Sequence, residues 1–147
     1  MITERGYCMI YLEEINLFRA NLKRINLEKT NLTETNLEEA DINWANLEWA
    51  NLEGVNLEKA TLKGANLQEA NIEGANLEEA IFEGANLKRV LNLSIDKLSK
   101  VRTLYNAKLD KEFLVQLKEE FSFLFKSLEQ QFLEYQSNLL GTVSDNL

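Results

Sequence analysis

Of the 147 residues none is histidine, none is proline, one is cysteine and six are glycine. The missing histidine removes the commonest general base and metal ligand. The single cysteine, Cys8, rules out an internal disulfide and reads as an ordinary small apolar residue. Long apolar runs are also missing, and Met1 is followed by Glu4 rather than by a basic region and an apolar core. The expectation is therefore no signal peptide, no membrane insertion and a cytoplasmic location. Basic residues are scarce, 16 against 24 acidic ones, for a net charge of −8. That balance argues against direct nucleic-acid binding through a basic face.

What the chain has in quantity is one five-residue pattern. From Ile15 to Arg89 it runs through fifteen consecutive units without an insertion. The large apolar residue at the centre of each unit is Leu at 17, 22, 27, 32, 37, 47, 52, 57, 62, 67, 77 and 87, Ile at 42 and 72, and Phe at 82. Two residues earlier stands a small or apolar residue, Ala in ten units. Between them stands Asn in twelve, with Asp41, Thr61 and Ile81 in the other three. A period of five fits neither the 3.6 of a helix nor the 2.0 of a strand. It resolves into a three-residue strand, on which Ala20 and Leu22 share a face and Asn21 points away, plus a two-residue corner. Corners that all turn the same way close the chain into a coil with the centres inside. Stacked coils then pair their backbones along the axis.

These units resemble the A-(N/D)-L-X-X signature of the pentapeptide-repeat family, and the resemblance covers all fifteen. It implies an all-β solenoid, a right-handed quadrilateral β-helix with four units per coil. The repeats then make about four coils, roughly 18 Å tall at the spacing of paired strands. Residues 1–14 become an N-terminal lead-in or cap strand, in which Tyr7 lies five residues before Leu12. Residues 15–92 become the β-helix, and residues 93–147 an α-helical C-terminal cap and dimerisation region.

In a four-sided coil, units four apart stack. Glu39, Lys59 and Glu79 then form a column of alternating sign, an expected cross-coil ladder. Gly54, Gly64, Gly74 and Gly84 all fall at the second corner position, where glycine relieves a turn that needs a positive φ. The repeated Asn is expected to bond neighbouring turn backbone. Trp44 and Trp49 occupy second corner positions on adjacent faces and point outward, Trp44 below Gly64. Ringed by Glu38, Glu48 and Glu53, they form the candidate protein-contact site. The competing reading lays the indole rings flat over the glycine column or packs them against the terminal cap. Phe18 is a weaker candidate of the same kind.

After Arg89 the pattern stops. Ser94 can cap a helix to about Tyr105, and Asp110 a second from about Lys111 to Asn138, ended by Gly141. The stretch LSIDKLSKVRTLYNAKLDKEFLVQLKEEF also resembles a helical tail of some family members, with Lys111 where proline often stands. Unbroken, the second helix would span roughly 42 Å and outrun the prism. It must break, near Ser122, or project. Its apolar stripe, including Phe113, Leu117, Phe121, Phe125 and Phe132, is the candidate dimer surface.

Outward carboxylates on a convex, filled prism form no cleft that would shift their pKa values, so no enzyme activity, cofactor or metal is expected. The function expected is a structural or protein-interaction module. The alternative comes from the resemblance: some family members are acidic rods that resemble duplex DNA and occupy a type II topoisomerase, DNA gyrase. This chain shares the acidity but is shorter, has basic residues in its first coil, and has no inserted loops.

Overall fold

The computed structural model describes residues 10–144, with side chains to Asn138. The expectations for Tyr7, Cys8 and most of the lead-in lie outside the described residues. The repeats form a right-handed quadrilateral β-helix. Its strands are so short that each is held by isolated parallel bridges, and these link residues 20 apart, from Tyr11 with Asn31 to Asn71 with Leu91. Four faces result. Face 1 is centred on Leu17, Leu37, Leu57 and Leu77, and face 2 on Leu22, Ile42, Leu62 and Phe82. Face 3 is centred on Leu27, Leu47, Leu67 and Leu87, and face 4 on Leu12, Leu32, Leu52 and Ile72. From Leu27 to Leu87 every centre is buried, and the alanines two residues earlier fill the space beside them.

From Leu17 to Ala85 each corner is a β-turn closed by a backbone bond, as from Ala20 N–H to Leu17 C=O at 2.9 Å. Its second residue has φ near +60°, for Arg19 and Glu39 as well as for Gly64. Positive φ alone therefore does not select glycine here. Gly64 has a further reason: a Cβ on it would overlap the six-membered ring of Trp44. The asparagines do two jobs. Asn56 Oδ1 accepts from Glu58 N–H at 3.1 Å, the expected turn bond. Its Nδ2 donates to Asn36 Oδ1 one coil away, at 3.4 Å. Such asparagine ladders run up faces 1, 3 and 4. The three units without Asn, at Asp41, Thr61 and Ile81, all stack on face 2.

Two inward threonines have opposite fates. Thr35 Oγ1 donates to Leu12 C=O. Thr30 Oγ1 is buried with no partner among the described residues. A buried hydroxyl without a bond costs about 1–3 kcal/mol. Thr30→Val should therefore raise stability by about 1 kcal/mol and Thr35→Val lower it by a similar amount, as read by urea denaturation.

The C-terminal region departs from expectation at its first helix and at the end of its last, and between them it takes the first of the two courses expected of the long helix, a break near Ser122. Ser94 caps α1 (Ile95–Ser99), its Oγ accepting from Lys97 N–H, but the helix does not reach Tyr105. Residues 101–109 return to the coil instead. Thr103 bridges Ile81 and Lys108 bridges Asn86, now 22 residues apart because α1 takes the place of the next rung of face 1. Leu98, Leu104 and Leu109 are buried as further centres, and just past Tyr105, where the first helix was expected to end, lies another corner, with Asn106 at φ 58°. The long helix is broken. α2 (Lys111–Glu120) is followed by a 3-10 turn over Ser122–Phe125 and then by α3 (Leu128–Ser144). The physical reason is the open end of the coil. Leu104 N–H there donates to Leu124 C=O at 2.7 Å, and Thr103 Oγ1 to the same oxygen at 3.2 Å, so that carbonyl is not free to bond within a helix. Asp110, the expected cap of α2, makes no side-chain cap bond and accepts from Arg89 N–H instead. Gly141 does not end α3, which runs through it to Ser144. Glycine lowers helix stability by about 1 kcal/mol but does not by itself stop a helix.

Candidate functional site

The five residues predicted as a contact site do not share a surface. All lie in the middle coils, yet they sit at four different corners: Glu38 after face 1, Trp44 after face 2, Glu48 and Trp49 after face 3, Glu53 after face 4. Two of the carboxylates are held by the asparagine ladders. Glu48 accepts from Asn66 Nδ2 at 3.1 Å, and Glu38 accepts from Asn56 Nδ2 at 3.4 Å.

The two tryptophans also differ. Trp49 is bound into its column. The Lys29 ammonium sits 4.6 Å from its ring centroid, and its Nε1 donates to Glu69 Oε2 at 3.0 Å. Glu69 in turn pairs with Arg89 at 2.9 Å, so a single ladder runs from Lys29 to Arg89. Trp44 lies flat over Gly64, as the competing reading had it, but remains 63% exposed, the most open large apolar side chain of the β-helix. Its Nε1 has no acceptor among the described residues. Phe18 is 43% exposed and carries the Arg19 guanidinium 4.7 Å from its ring centre.

Charge divides unevenly among the faces. On face 1, Arg19 pairs with Glu39 at 2.6 Å, Lys59 with its neighbour Glu58, and Arg102 with Glu79. The expected Glu39–Lys59–Glu79 ladder is thus split among other partners, because each charge has a closer one. On face 2, Lys23 pairs with Asp41 and Lys63 with Glu83. Face 4 carries Glu13, Glu14, Glu34, Glu53 and Glu73 with no cation between Ile10 and Gly74. That acidic face was legible from the 20-residue spacing of its glutamates. The hydrogen bond from Arg19 holds the Glu39 carboxyl below its ordinary value. Burial pushes the Asp41 carboxyl up, but Lys23 and the Asn43 N–H outweigh it and leave Asp41 below the usual range. Burial lowers Lys97, whose Nζ donates to Ile72 C=O and Asn92 C=O where α1 meets the coil.

Of the predicted dimer stripe, Leu117 is fully buried, and Phe113, Phe121 and Phe125 are partly buried against the core. They close the end of the prism. Phe132 remains open, 58% exposed on α3. Sequence reasoning also missed the start of α3. Ser127 Oγ accepts from Gln130 N–H, and Gln130 Oε1 accepts from Ser127 N–H, a capping box visible as Ser-x-x-Gln.

Among the described residues no group of three or more His, Cys, Asp or Glu could hold a metal ion, and no helix is long and apolar enough to cross a membrane. The family profile of pentapeptide repeats, in eight copies, matches residues 15–54 and 50–89. The chain belongs to the pentapeptide-repeat family. Its members are in general structural or interaction modules. Similar solved structures include HetL, a pentapeptide-repeat protein involved in heterocyst differentiation regulation in the cyanobacterium Nostoc sp. strain PCC 7120. It is 26% identical over 69% of this chain, with a TM-score of 0.40. This chain spans 44% of HetL. Rfr23 from the cyanobacterium Cyanothece 51142 is 30% identical over 69% of this chain and 85% of its own, with a TM-score of 0.36. A trypsin-treated form of QnrB1, a plasmid-mediated fluoroquinolone resistance protein, is 20% identical over 73% of this chain and 64% of its own, with a TM-score of 0.26. No curated protein matches the chain.

Proposed function

We propose that this pentapeptide-repeat protein is a non-enzymatic, cytoplasmic interaction module: a rigid prism that holds a partner protein at the corner of Trp44 and meets a second copy of itself through its C-terminal helices. Trp44 carries the reading. A bulky residue at φ 63° stores strain of order 1 kcal/mol or more. At the equivalent corner Trp49 recovers that cost through Lys29 and Glu69. Trp44 recovers little, since its ring lies over Gly64 with 63% of the residue exposed and its indole N–H has no acceptor among the described residues. A large exposed aromatic that its own fold does not need is the composition of a contact anchor.

The test separates the two indoles. Wild type, Trp44→Ala and Trp49→Ala are used as baits in cross-linking pull-downs from source-cell lysate, and each is melted alone. The partner should be lost with Trp44→Ala, whose melting temperature stays within about 2 °C of wild type. It should be retained by Trp49→Ala, which melts lower. Equal retention by both variants removes Trp44 as the site.

Face 4 favours a second reading, an acidic mimic of duplex DNA that occupies a type II topoisomerase. Its five glutamates share that face with no basic residue of their own units, and Lys97 of α1 acts on Glu73 alone among them. Inhibition of DNA gyrase supercoiling by the purified protein, relieved in Glu53→Lys/Glu73→Lys, would support it. No inhibition at high micromolar excess ends it.

A further inference from the structure

Resting on the reading of Trp44 as the contact anchor, we infer that its corner takes an acidic peptide segment of the partner protein, one that brings carboxylates and an apolar side chain together. Charge is the first reason. The corner after face 2 holds three cations, Lys23, Arg24 and Lys63, against one carboxylate, Glu83. The corner after face 1 sets Arg19 and Lys59 against five glutamates, and the corner after face 3 balances three of each sign. Diagonally opposite Trp44, the corner after face 4 carries its five glutamates. The more exposed of the two indoles thus stands on the one basic corner of the repeats. Charge separated across the prism presents that corner to an approaching anion and turns the glutamates away.

The unpaired groups are the second reason. Lys23 pairs with Asp41 at 2.9 Å and Lys63 with Glu83 at 3.0 Å. The Arg24 guanidinium, one coil before Trp44, has no hydrogen bond or ion pair among the described residues. Asn43 Oδ1 accepts from Lys63 N–H at 2.7 Å, while its Nδ2 donates to no group among the described residues. With Trp44 Nε1 that makes three neighbouring side-chain donors open to an acceptor, the chemistry a carboxylate supplies. The same column has room for an apolar group. Beyond the indole, which lies over Gly64, comes Gly84, where an added Cβ would touch only Gly64 backbone at 4.0 Å. From Arg24 to Gly84 the column climbs coil by coil for about 14 Å, the reach of about four extended residues. A carboxylate at the Arg24 end and an apolar side chain against the indole at the Gly84 end fill that length. A nucleic acid fits less well, because two of the three cations are already paired and one is left to hold phosphates.

A displayed library of random heptapeptides, panned on the full chain, tests this. Recovered peptides are then titrated by fluorescence anisotropy against wild type, Trp44→Ala, Arg24→Glu and Lys88→Glu. Glu39 holds the turn position of Arg24 at φ 55°, so the charge reversal asks for no new backbone conformation. Lys88→Glu makes the same change of net charge at an exposed site on another corner. The recovered peptides should be rich in Asp and Glu around an aromatic residue and bind at about 10–100 µM. Binding should be lost with Trp44→Ala, weaken about tenfold with Arg24→Glu and change by less than about twofold with Lys88→Glu. Peptides that need Trp44 but are neither acidic nor sensitive to Arg24→Glu overturn the acidic partner and leave Trp44 as the anchor. A library that yields no binder overturns the peptide class alone, and peptides that bind Trp44→Ala as well as wild type overturn both. A ten-nucleotide dT strand that binds wild type more tightly than any recovered peptide, and is released by Arg24→Glu, assigns the corner to nucleic acid instead.

Discussion

Leu57→Ala should destabilise the protein by about 2–5 kcal/mol and lower its melting temperature by roughly 5–20 °C. Leu57 is fully buried at the middle of face 1, with Leu37 and Leu77 on the neighbouring coils. The side chains around it cannot collapse into the space left behind. Each is pinned by a strand that bonds to coils on both sides, as Leu57 N–H donates to Asn76 C=O at 2.8 Å and Asn56 N–H to Thr35 C=O at 3.1 Å. Most of the cavity term is therefore retained. Its outward neighbour Glu58 offers the control. Glu58→Ala removes one exposed ion pair with Lys59, worth about 0–1 kcal/mol. An unchanged melting temperature for Leu57→Ala would show that the centres do not point inward.

Leu117→Asp should detach the cap from the prism. Leu117 is fully buried where α2 crosses the end of the coil, and a carboxylate placed there would have to be desolvated without a partner, at a cost of several kcal/mol. The Leu104 N–H and the Thr103 hydroxyl would lose their acceptor at Leu124 as the 3-10 turn lifts away. Fast hydrogen exchange at Leu104, with slow exchange preserved at Leu57, is the expected signature, accompanied by a loss of helical circular dichroism. Loss of protection throughout the chain would mean instead that prism and cap fold as one unit. Slow exchange at Leu104 would show that the cap tolerates the charge.

The capacity of the sequence to reveal its own structure varied along the chain. In the repeats, local pattern and tertiary environment agree: each five-residue unit makes the same turn and buries the same position, so Leu17 and Leu87 need no distant information to be placed. At Val101–Asp110 the two conflict. Val101, Leu104 and Tyr105 have helical spacing, while Ala107–Lys108–Leu109 has repeat spacing. The coil below decides, because Ala80 and Ala85 carbonyls accept from Arg102 and Lys108 N–H at 2.9 and 2.8 Å. The break after Glu120 has the same origin, since an apolar stripe continuous from Phe113 to Phe132 says nothing about a carbonyl required elsewhere.

The contact residues show the same division. Sequence alone determined that Trp44 and Trp49 point outward, that a glycine stands above Trp44, and that the prism is acidic. Those are consequences of a period of five wrapped four to a coil, in which orientation follows from position. Only the tertiary structure decided that Trp49 is held between Lys29 and Glu69 while Trp44 is not, that Leu117 serves the cap, and that the exposed end of the stripe lies on α3. Each depends on which groups meet across coils or across the end of the prism. A repeat makes the backbone of every unit alike, and leaves those meetings to side chains about 20 residues apart.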